Sequence, residues 1–288
     1  ADRFRSGNPR LSLFDPQSVP GLDSLEVRVR RLVEGRHLGL HKSPYRGTSA
    51  EFAEHRPYLP GDNIRTLAWR LFARTDRFYV KRYEEETNLS AHLVVDATAS
   101  MNFGQKWTAA GLLAGTAAYV LAAQGDAIGL SLIGENAVDV SARRGRARRR
   151  EILALLDSAS PAGTGSLLPA VDRMLLRSRR TGLIILVSDF LSEDRTELHR
   201  ILRRIRGRGH DAFAIHIVSK GELTLGNVGP TRYVDPESPD AVETIPEDVQ
   251  NAYRRELDAH ITDIASTCRA LGFDHLMAVA EEGPGLAF

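Results

Sequence analysis

LVVDATAS, at residues 93–100, holds the change of pattern from which the fold class follows. The apolar run from Leu93 to Val95 is typical of a buried strand, and it stops at Asp96. A turn of small and hydroxyl-bearing residues comes next. Residues 107–123 (WTAAGLLAGTAAYVLAA) then form an Ala- and Leu-rich segment that favours a buried helix. A strand that passes through a short turn into a helix is the repeating unit of a parallel α/β sheet.

The same alternation continues along the rest of the chain. Further strands are predicted at 127–133, 137–141 (a hairpin partner), 183–187, 212–218 and 273–280, and helices at 146–156, 167–177, 196–206 and 247–271. Because continuous apolar strands are covered on both faces, we predict an α/β fold with a doubly wound, Rossmann-like, mostly parallel sheet. In such sheets, ligands bind beyond the carboxyl ends of the strands. That rule selects the residues just after Val95 and just after Val187.

Two regions depart from this alternation. Residues 1–20 read as an extended arm, and 23–34 as a helix. Turn residues and aromatics dominate from 36 to 61, before a strand-like alternation at 78–83. Residues 221–246 contain prolines and short β-like pieces, so we interpret them as an insertion.

Composition limits the classes of function. Among 288 residues, 42% are hydrophobic and 26% charged, which is typical of a globular protein, and the net charge of +1 gives no overall attraction to nucleic acid or acidic lipid. The single cysteine, Cys268, excludes an internal disulfide and a cysteine-based zinc site. No signal-peptide pattern and no apolar run of about 18 residues is present. We therefore expect a cytoplasmic protein that reaches a membrane only through its partners.

Oxygen-bearing side chains follow two of the predicted strands. Asp96, Thr98 and Ser100 come directly after the first strand, Asp189 ends another, and Thr164 lies between them on a glycine-flanked loop. Hard cations such as Mg²⁺ take oxygen ligands at about 2.1 Å in octahedral geometry. Two acids and three hydroxyls at one sheet edge would suit such an ion. The residues alone leave simpler interpretations open: Asp96 as a turn or N-cap acid, and Thr164 as ordinary loop chemistry.

In their order along the chain, Asp96, Thr98, Ser100, Thr164 and Asp189 resemble the metal-ion-dependent adhesion site of von Willebrand factor A domains. That family's first motif is usually D-x-S-x-S, and Thr98 replaces its first serine. The resemblance implies that the three hydroxyls coordinate one divalent cation, Mg²⁺ with Mn²⁺ or Ca²⁺ as alternatives. It also implies that the two aspartates act directly or through water. One position would stay open for an Asp or Glu of a partner protein.

A second, longer motif lies upstream. Residues 51–62 read EFAEHRPYLPGD, and Ile64-Arg65, Trp69-Arg70 and Ala73-Arg74 follow. The run is similar to the signature of the bacterial family catalogued as domain of unknown function 58, and the resemblance extends over about residues 35 to 280. Ala68 departs from it, since members usually have an acid before the tryptophan.

This family resemblance implies a division of the chain and a partner. The implied parts are a small β-rich subdomain (36–87 plus 221–246) and a von Willebrand factor A-like domain (88–220 plus 247–288), which follow the N-terminal arm and helix (1–35) predicted from the residues themselves. The implied partner is a MoxR-type AAA+ ATPase, working with this chain in chaperone-like assembly or maturation.

Arginines surround Trp69 in the upstream motif. Their guanidinium groups can pair with nearby carboxylates and stack on an indole. The arginines are Arg56, Arg65, Arg70 and Arg74, and the acids are Glu51, Glu54 and Asp62. We favour a structural charge network here and keep a partner-binding face as the alternative.

The leading hypothesis is a non-catalytic, metal-dependent protein-binding module. No GxxxxGK[ST] loop, G-x-S-x-G elbow or H-E-x-x-H pair occurs in the sequence. A metal-dependent phosphohydrolase is the first alternative, although no general base or second metal site accompanies the motifs. A nucleic-acid-binding protein using the basic run 143–150 (RRGRARRR) is the second, although no aromatic residues are interleaved there. We interpret His216 as a strand residue and Cys268 as a buried small hydrophobe.

Overall fold

A computed structural model of the protein describes residues 50–58, 67–85, 89–178, 180–191, 195–225 and 229–282. Its described residues up to Glu85 form one unit, and those from Leu89 onward form another. The predicted N-terminal arm, the predicted helix at 23–34 and Arg65 lie outside the described residues.

The smaller unit is a two-stranded antiparallel sheet with one short helix. Strand β1 (Ala50–Pro57) pairs with β2 (Tyr79–Glu85), and α1 (Trp69–Thr75) lies between them in the chain. The rings of Phe72 and Phe78 stack with their centroids 4.4 Å apart, which joins the helix to the start of β2. Strand β2 confirms the strand predicted at 78–83.

The larger unit alternates strands and helices as predicted. Its elements are β3 (Ser90–Asp96), α2 (Lys106–Ala123), β4 (Ala127–Ile133), β5 (Val138–Arg143), α3 (Arg146–Ser158), α4 (Leu167–Arg177), β6 (Leu183–Ser188), α5 (Arg195–Gly207), β7 (Asp211–Val218), α6 (Lys220–Thr224), β8 (Thr231–Val234), β9 (Ala241–Thr244), α7 (Pro246–Ala270) and β10 (Asp274–Val279). Among the described residues, no helix has the length and hydropathy needed to cross a membrane.

Six of these strands form one sheet in the order β10-β7-β6-β3-β4-β5. All neighbouring pairs are parallel except β4 with β5, which is a hairpin. From β3 the chain first builds outward through β4 and β5, then crosses back to build β6, β7 and β10 on the other side. The strand order therefore reverses between β3 and β6, and this is the switch point where such folds bind ligands.

Helices cover both faces of the sheet. Leu93 and Val95 pack in a core with α2 and α3, whereas Val94 packs in a second core with α4, α5 and α7. Successive strand residues point to opposite faces, so one apolar run supplies both cores. The predicted doubly wound, mostly parallel α/β sheet is confirmed. Cys268 is fully buried in the second core, as predicted, and burial raises the pKa of its thiol to about 12.

The insertion begins with α6 and continues as the antiparallel hairpin β8–β9, which is separate from the six-stranded sheet. The family resemblance implied that 221–246 and 36–87 form one subdomain. In the structure the described residues of 221–246 belong to the unit that contains the large sheet. The physical reason is polar contact: Glu222 binds Lys106, and Glu237 accepts a hydrogen bond from the backbone of Ser100.

Candidate metal-binding site

The Asp96 loop closes on itself directly after β3. Asp96 Oδ1 accepts hydrogen bonds from the backbone N–H and from the hydroxyl of Thr98, at 2.9 and 2.7 Å. Such Asx-type bonds fix a tight turn and hold the hydroxyl in place. Thr98 Oγ1 and Ser100 Oγ share a hydrogen bond at 3.1 Å. All three side chains are buried, so the loop presents a fixed cluster of oxygens.

The loop that carries Thr164 packs against the Asp96 loop through its backbone. The carbonyl of Gly163 accepts a bond from the N–H of Ala99 at 2.9 Å. A Cβ on Gly165 would lie 2.5 Å from Cγ2 of Ile133, and Gly163 has a φ of +69°, so a side chain at either position would be strained or would collide. The structure thus brings the neighbours of Thr164 to the Asp96 loop, with the Thr164 side chain itself exposed.

The end of β6 meets the end of β3 at the same edge. Ser188 Oγ donates to Asp96 Oδ2 at 2.6 Å and accepts from the backbone N–H of Phe190 at 2.9 Å. Asp189 follows and is 1% exposed. The sequence analysis assigned Asp189 to this edge and gave Ser188 no role. In the structure the Ser188 hydroxyl orients Asp96.

Lys106, at the start of α2, is a site residue that the sequence reasoning missed. Its ammonium lies 2.7 Å from Asp189 Oδ2 and 2.5 Å from Glu222 Oε1, and the side chain is 1% exposed. Burial disfavours the ammonium, but these two carboxylates outweigh that effect and hold the pKa of Lys106 above its usual value. Lys106 is the one charged residue in the helix KWTAAGLLAGTAAYVLAA, and that isolation was an available signal.

Glu222 is held by a capping box at the start of α6. Its Oε2 accepts from the backbone N–H of Ser219 at 2.8 Å, and the Ser219 hydroxyl accepts from the N–H groups of Gly221 and Glu222. The S-x-x-E spacing that predicts this capping box is present in the sequence. The contact of Glu222 with Lys106, 116 positions away, could not be predicted from the sequence.

The site is short of positive charge. Burial and the neighbouring Asp189 raise the pKa of the Asp96 carboxyl, although the Ser188 and Thr98 hydrogen bonds oppose this rise. Asp189, by contrast, gives one oxygen to Lys106 and the other to the N–H of Leu191. When Asp96, Asp189 and Glu222 are all ionised, the single ammonium of Lys106 leaves two negative charges.

The oxygen cluster fits a hard divalent cation. Adjacent ligands of an octahedral ion with bonds of about 2.1 Å lie about 3 Å apart, and Thr98 Oγ1 and Ser100 Oγ are separated by 3.1 Å. The excess of negative charge at this edge also favours a cation. Within the part of the chain that the structure describes, no group of three or more His, Cys, Asp or Glu side chains could hold a metal. A cation at this edge would therefore need hydroxyl ligands.

The predicted arginine cluster belongs to the smaller unit. Trp69 is 58% exposed, and its ring meets Phe72 edge-on at 6.4 Å between centroids. Arg70 and Arg74 are also exposed, and Arg56 is partly buried. The predicted network around the indole depends in part on Arg65 and Asp62, which lie outside the described residues.

His216 lies on β7, next to Asp189, and is buried. This agrees with its interpretation as a strand residue. Burial, together with His275 and His260, lowers the pKa of His216 to about 3, so the ring is neutral. It forms a hydrogen bond with the backbone of Asp189 and packs edge-on against Phe190 at 5.6 Å. The ring therefore supports the turn after β6.

A doubly wound sheet with an oxygen cluster at its switch point defines an α/β protein with a candidate cation site. The chain belongs to the family described as protein of unknown function DUF58, whose model matches residues 54–263. An uncharacterized protein of Mycobacterium tuberculosis is 31% identical over 272 residues, covering 91% of this chain and 85% of that protein. An uncharacterized protein of Mycobacterium avium is 29% identical over 137 residues, covering 46% of this chain and 79% of that protein.

Solved structures show weaker similarity. The conserved hypothetical protein BatB from Bacteroides thetaiotaomicron has a TM-score of 0.44 at 11% identity, covering 66% of this chain and 90% of that chain. The manganese-loaded TRAP protein of Plasmodium vivax has a TM-score of 0.39 at 16% identity, covering 46% of this chain and 57% of that chain. At scores this low, neither likeness carries weight for the function.

Proposed function

We propose that this protein is a non-catalytic, metal-dependent protein-binding module of the von Willebrand factor A type. It binds one divalent cation, Mg²⁺ or else Mn²⁺ or Ca²⁺, at the carboxyl edge of its sheet. The cation holds an Asp or Glu side chain of a partner protein. The main support is that Thr98 Oγ1 and Ser100 Oγ, which share a hydrogen bond at 3.1 Å, already lie close to the separation of about 3 Å between adjacent ligands of an octahedral cation.

The proposed ligands have distinct roles. Thr98 and Ser100 bind through their hydroxyls, and Thr164 adds a third hydroxyl from the loop that packs on Ala99. Asp96 uses Oδ1 to orient the Thr98 hydroxyl, and Asp189 is already engaged by Lys106. Both aspartates therefore serve through water and supply charge. A set with few direct carboxylates leaves the cation electrophilic, so it attracts a carboxylate from outside.

The partner is proposed on the family resemblance. Residues 51–74 resemble the family signature except at Ala68, and on that resemblance we propose a MoxR-type AAA+ ATPase as the protein that presents the acid to this chain. This chain would then serve as an adaptor in chaperone-like assembly or maturation. The exposed Trp69, with Arg56, Arg70 and Arg74 and with Arg65, is proposed as a second contact surface for the partner.

Two buried aspartates offer a matched test. Asp96 and Asp126 are 2% and 3% exposed, but Asp126 precedes β4 and so lies at the amino end of the sheet. Calorimetric titration with Mg²⁺ should show that Asp96→Asn weakens binding at least about tenfold, whereas Asp126→Asn leaves it unchanged. Capture of a candidate AAA+ ATPase should fail for Asp96→Asn and after chelation.

The outcome that contradicts the proposal is equally concrete. Partner capture that survives both Asp96→Asn and a chelator would show that the cation is not involved. Circular dichroism of both variants provides the control for folding, since both replacements keep the size of the side chain.

A further inference from the structure

The insertion delivers a carboxylate to the candidate site. Glu237, in the loop between β8 and β9, accepts a hydrogen bond through Oε1 from the backbone N–H of Ser100 at 3.3 Å. The two residues are 137 positions apart. Ser100 is one of the two residues whose hydroxyls form the proposed octahedral edge. An acid from the chain itself is therefore hydrogen-bonded to the backbone of a proposed ligand residue.

The loop that carries Glu237 is internally ordered. Asp235 accepts from the backbone N–H of Glu237 at 2.8 Å and from the hydroxyl of Ser238 at 2.9 Å. These hydrogen bonds lower the pKa of Asp235. A backbone bond from Asp235 to Asp240 closes the loop at 2.9 Å. Because the loop is shaped by its own contacts, Glu237 is presented as a preformed group.

The hairpin that carries this loop is lightly attached. It has only two strands, and its valines Val234 and Val242 are 61% and 63% exposed. Beneath it is a cavity of about 690 Å³, bounded by Ser100 and Phe103 on the sheet side and by Tyr233 on the hairpin side. An isolated two-stranded hairpin is marginally stable by itself, and a cavity supplies few packing contacts. Little packing therefore opposes a displacement of this hairpin.

We propose that Glu237 is a ligand supplied by the chain itself. Its carboxylate occupies the coordination position on the cation that the partner's carboxylate also uses. The inference rests on the proposed function. Ser100 would hold the cation through Oγ while its N–H holds Glu237, so the carboxylate reaches the open position without leaving its loop. Partner binding then requires the hairpin to withdraw, and the measured affinity for any external carboxylate is reduced by the fraction of molecules that are closed.

The test uses Mn²⁺ as the metal probe and acetate as the external carboxylate. Relaxation of water protons by bound Mn²⁺ reports how many waters touch the ion. Glu237→Gln should raise this relaxation by the equivalent of one added water and should bind Mn²⁺ more weakly, by about tenfold, because an amide is a poorer ligand than a carboxylate. Acetate should reverse the added relaxation, and it should bind Glu237→Gln about tenfold more tightly than the unaltered protein.

Two further variants control the result. Glu243→Gln, on the exposed face of β9, changes the same hairpin by the same chemistry and should behave as the unaltered protein. Asp235→Ala keeps Glu237 but removes the acceptor that shapes its loop, so its relaxation should be intermediate. A Glu237→Gln protein with unchanged relaxation and unchanged acetate affinity would overturn the role of Glu237 while leaving the cation site intact. Failure of the unaltered protein to bind Mn²⁺ would overturn both proposals.

Discussion

The two ends of the central sheet each contain a buried aspartate in very different surroundings. At the carboxyl end, Asp96 accepts from two hydroxyls and a backbone N–H, and a second acid and a buried ammonium lie close by. At the amino end, burial raises the pKa of Asp126 to about 6, against the effects of a backbone bond with Leu89 and the charge of Arg144. A buried acid alone therefore does not indicate a site; the carboxyl end is a candidate because several strand ends converge there.

The largest expected effect concerns the ammonium that balances the carboxyl end. Lys106→Met leaves Asp189 and Glu222 without their shared cation in a buried place. Removing one partner of a buried ion pair typically costs about 3 to 5 kcal/mol of unfolding free energy. Urea denaturation measures it. Lys220→Met, which removes an exposed pairing with Glu282, is the control and should cost less than about 1 kcal/mol.

A loss for Lys106→Met no larger than that of the control would break the comparison, since the carboxyl end would then need no internal cation. Repeating the urea denaturation with excess Mg²⁺ makes this test sharper. A bound cation would stabilise the folded state of both the unaltered protein and Lys106→Met. It would stabilise Lys106→Met more, because a nearby positive charge has been removed.

The next effect concerns the amino end and depends on pH. The pKa of Asp126 is raised in the folded protein from 3.8 to about 6, so the protonated form is favoured by folding. The unaltered protein therefore loses stability as pH rises from about 4 to 6, and Asp126→Asn does not. At pH 8 the variant should be more stable by about 1 to 2 kcal/mol, a value reduced for screening by solvent and Arg144.

Urea titrations at pH 4 and pH 8 check the sign, because the advantage of Asp126→Asn should vanish at the lower pH. A variant that is less stable than the unaltered protein at pH 8 would mean that Asp126 is itself held by favourable contacts. The two ends of the sheet would then resemble each other more than their geometry suggests.

The smallest effect concerns the extra methyl group of Thr98. Thr98 is fully buried, and Thr98→Ser should cost about 1 kcal/mol of unfolding free energy for the lost methyl. Mg²⁺ affinity should change by less than about threefold, because the hydroxyl on which the ligand role depends is kept. Thr98→Val keeps the shape but removes the donor to Asp96, and it should abolish Mg²⁺ binding. Equal affinities for all three proteins would exclude Thr98 as a ligand.

Much of the fold could be predicted because its signal is local. The strand predicted at 127–133 coincides with β4, and the helices predicted at 167–177 and 247–271 match α4 and α7 to within one residue. Apolar runs of strand length and an Ala-rich helix suffice for this. The switch point also followed from the sequence, since an acid directly after an apolar strand marks the carboxyl edge of the sheet.

The rest of the site depends on contacts between distant parts of the chain. Ser188 meets Asp96 across 92 positions, and Glu237 meets Ser100 across 137. Neither pairing has a periodic or compositional trace. The family resemblance implied that 221–246 and 36–87 form one subdomain, and the structure places 221–246 with the large sheet instead. The β-like character of the segment shows what it forms and not where it packs.

Glu222 belongs to two structures at once, and this limits how the insertion can be shortened. One oxygen caps the five-residue α6, and the other neutralises Lys106 inside the larger unit. A deletion of the insertion that starts at Gly221 would remove the hairpin and also the Glu222 carboxylate that pairs with Lys106. A deletion that starts beyond Leu225 would keep the pairing of Glu222 with Lys106. The insertion can therefore be shortened from inside, after Leu225, and not from its first residue.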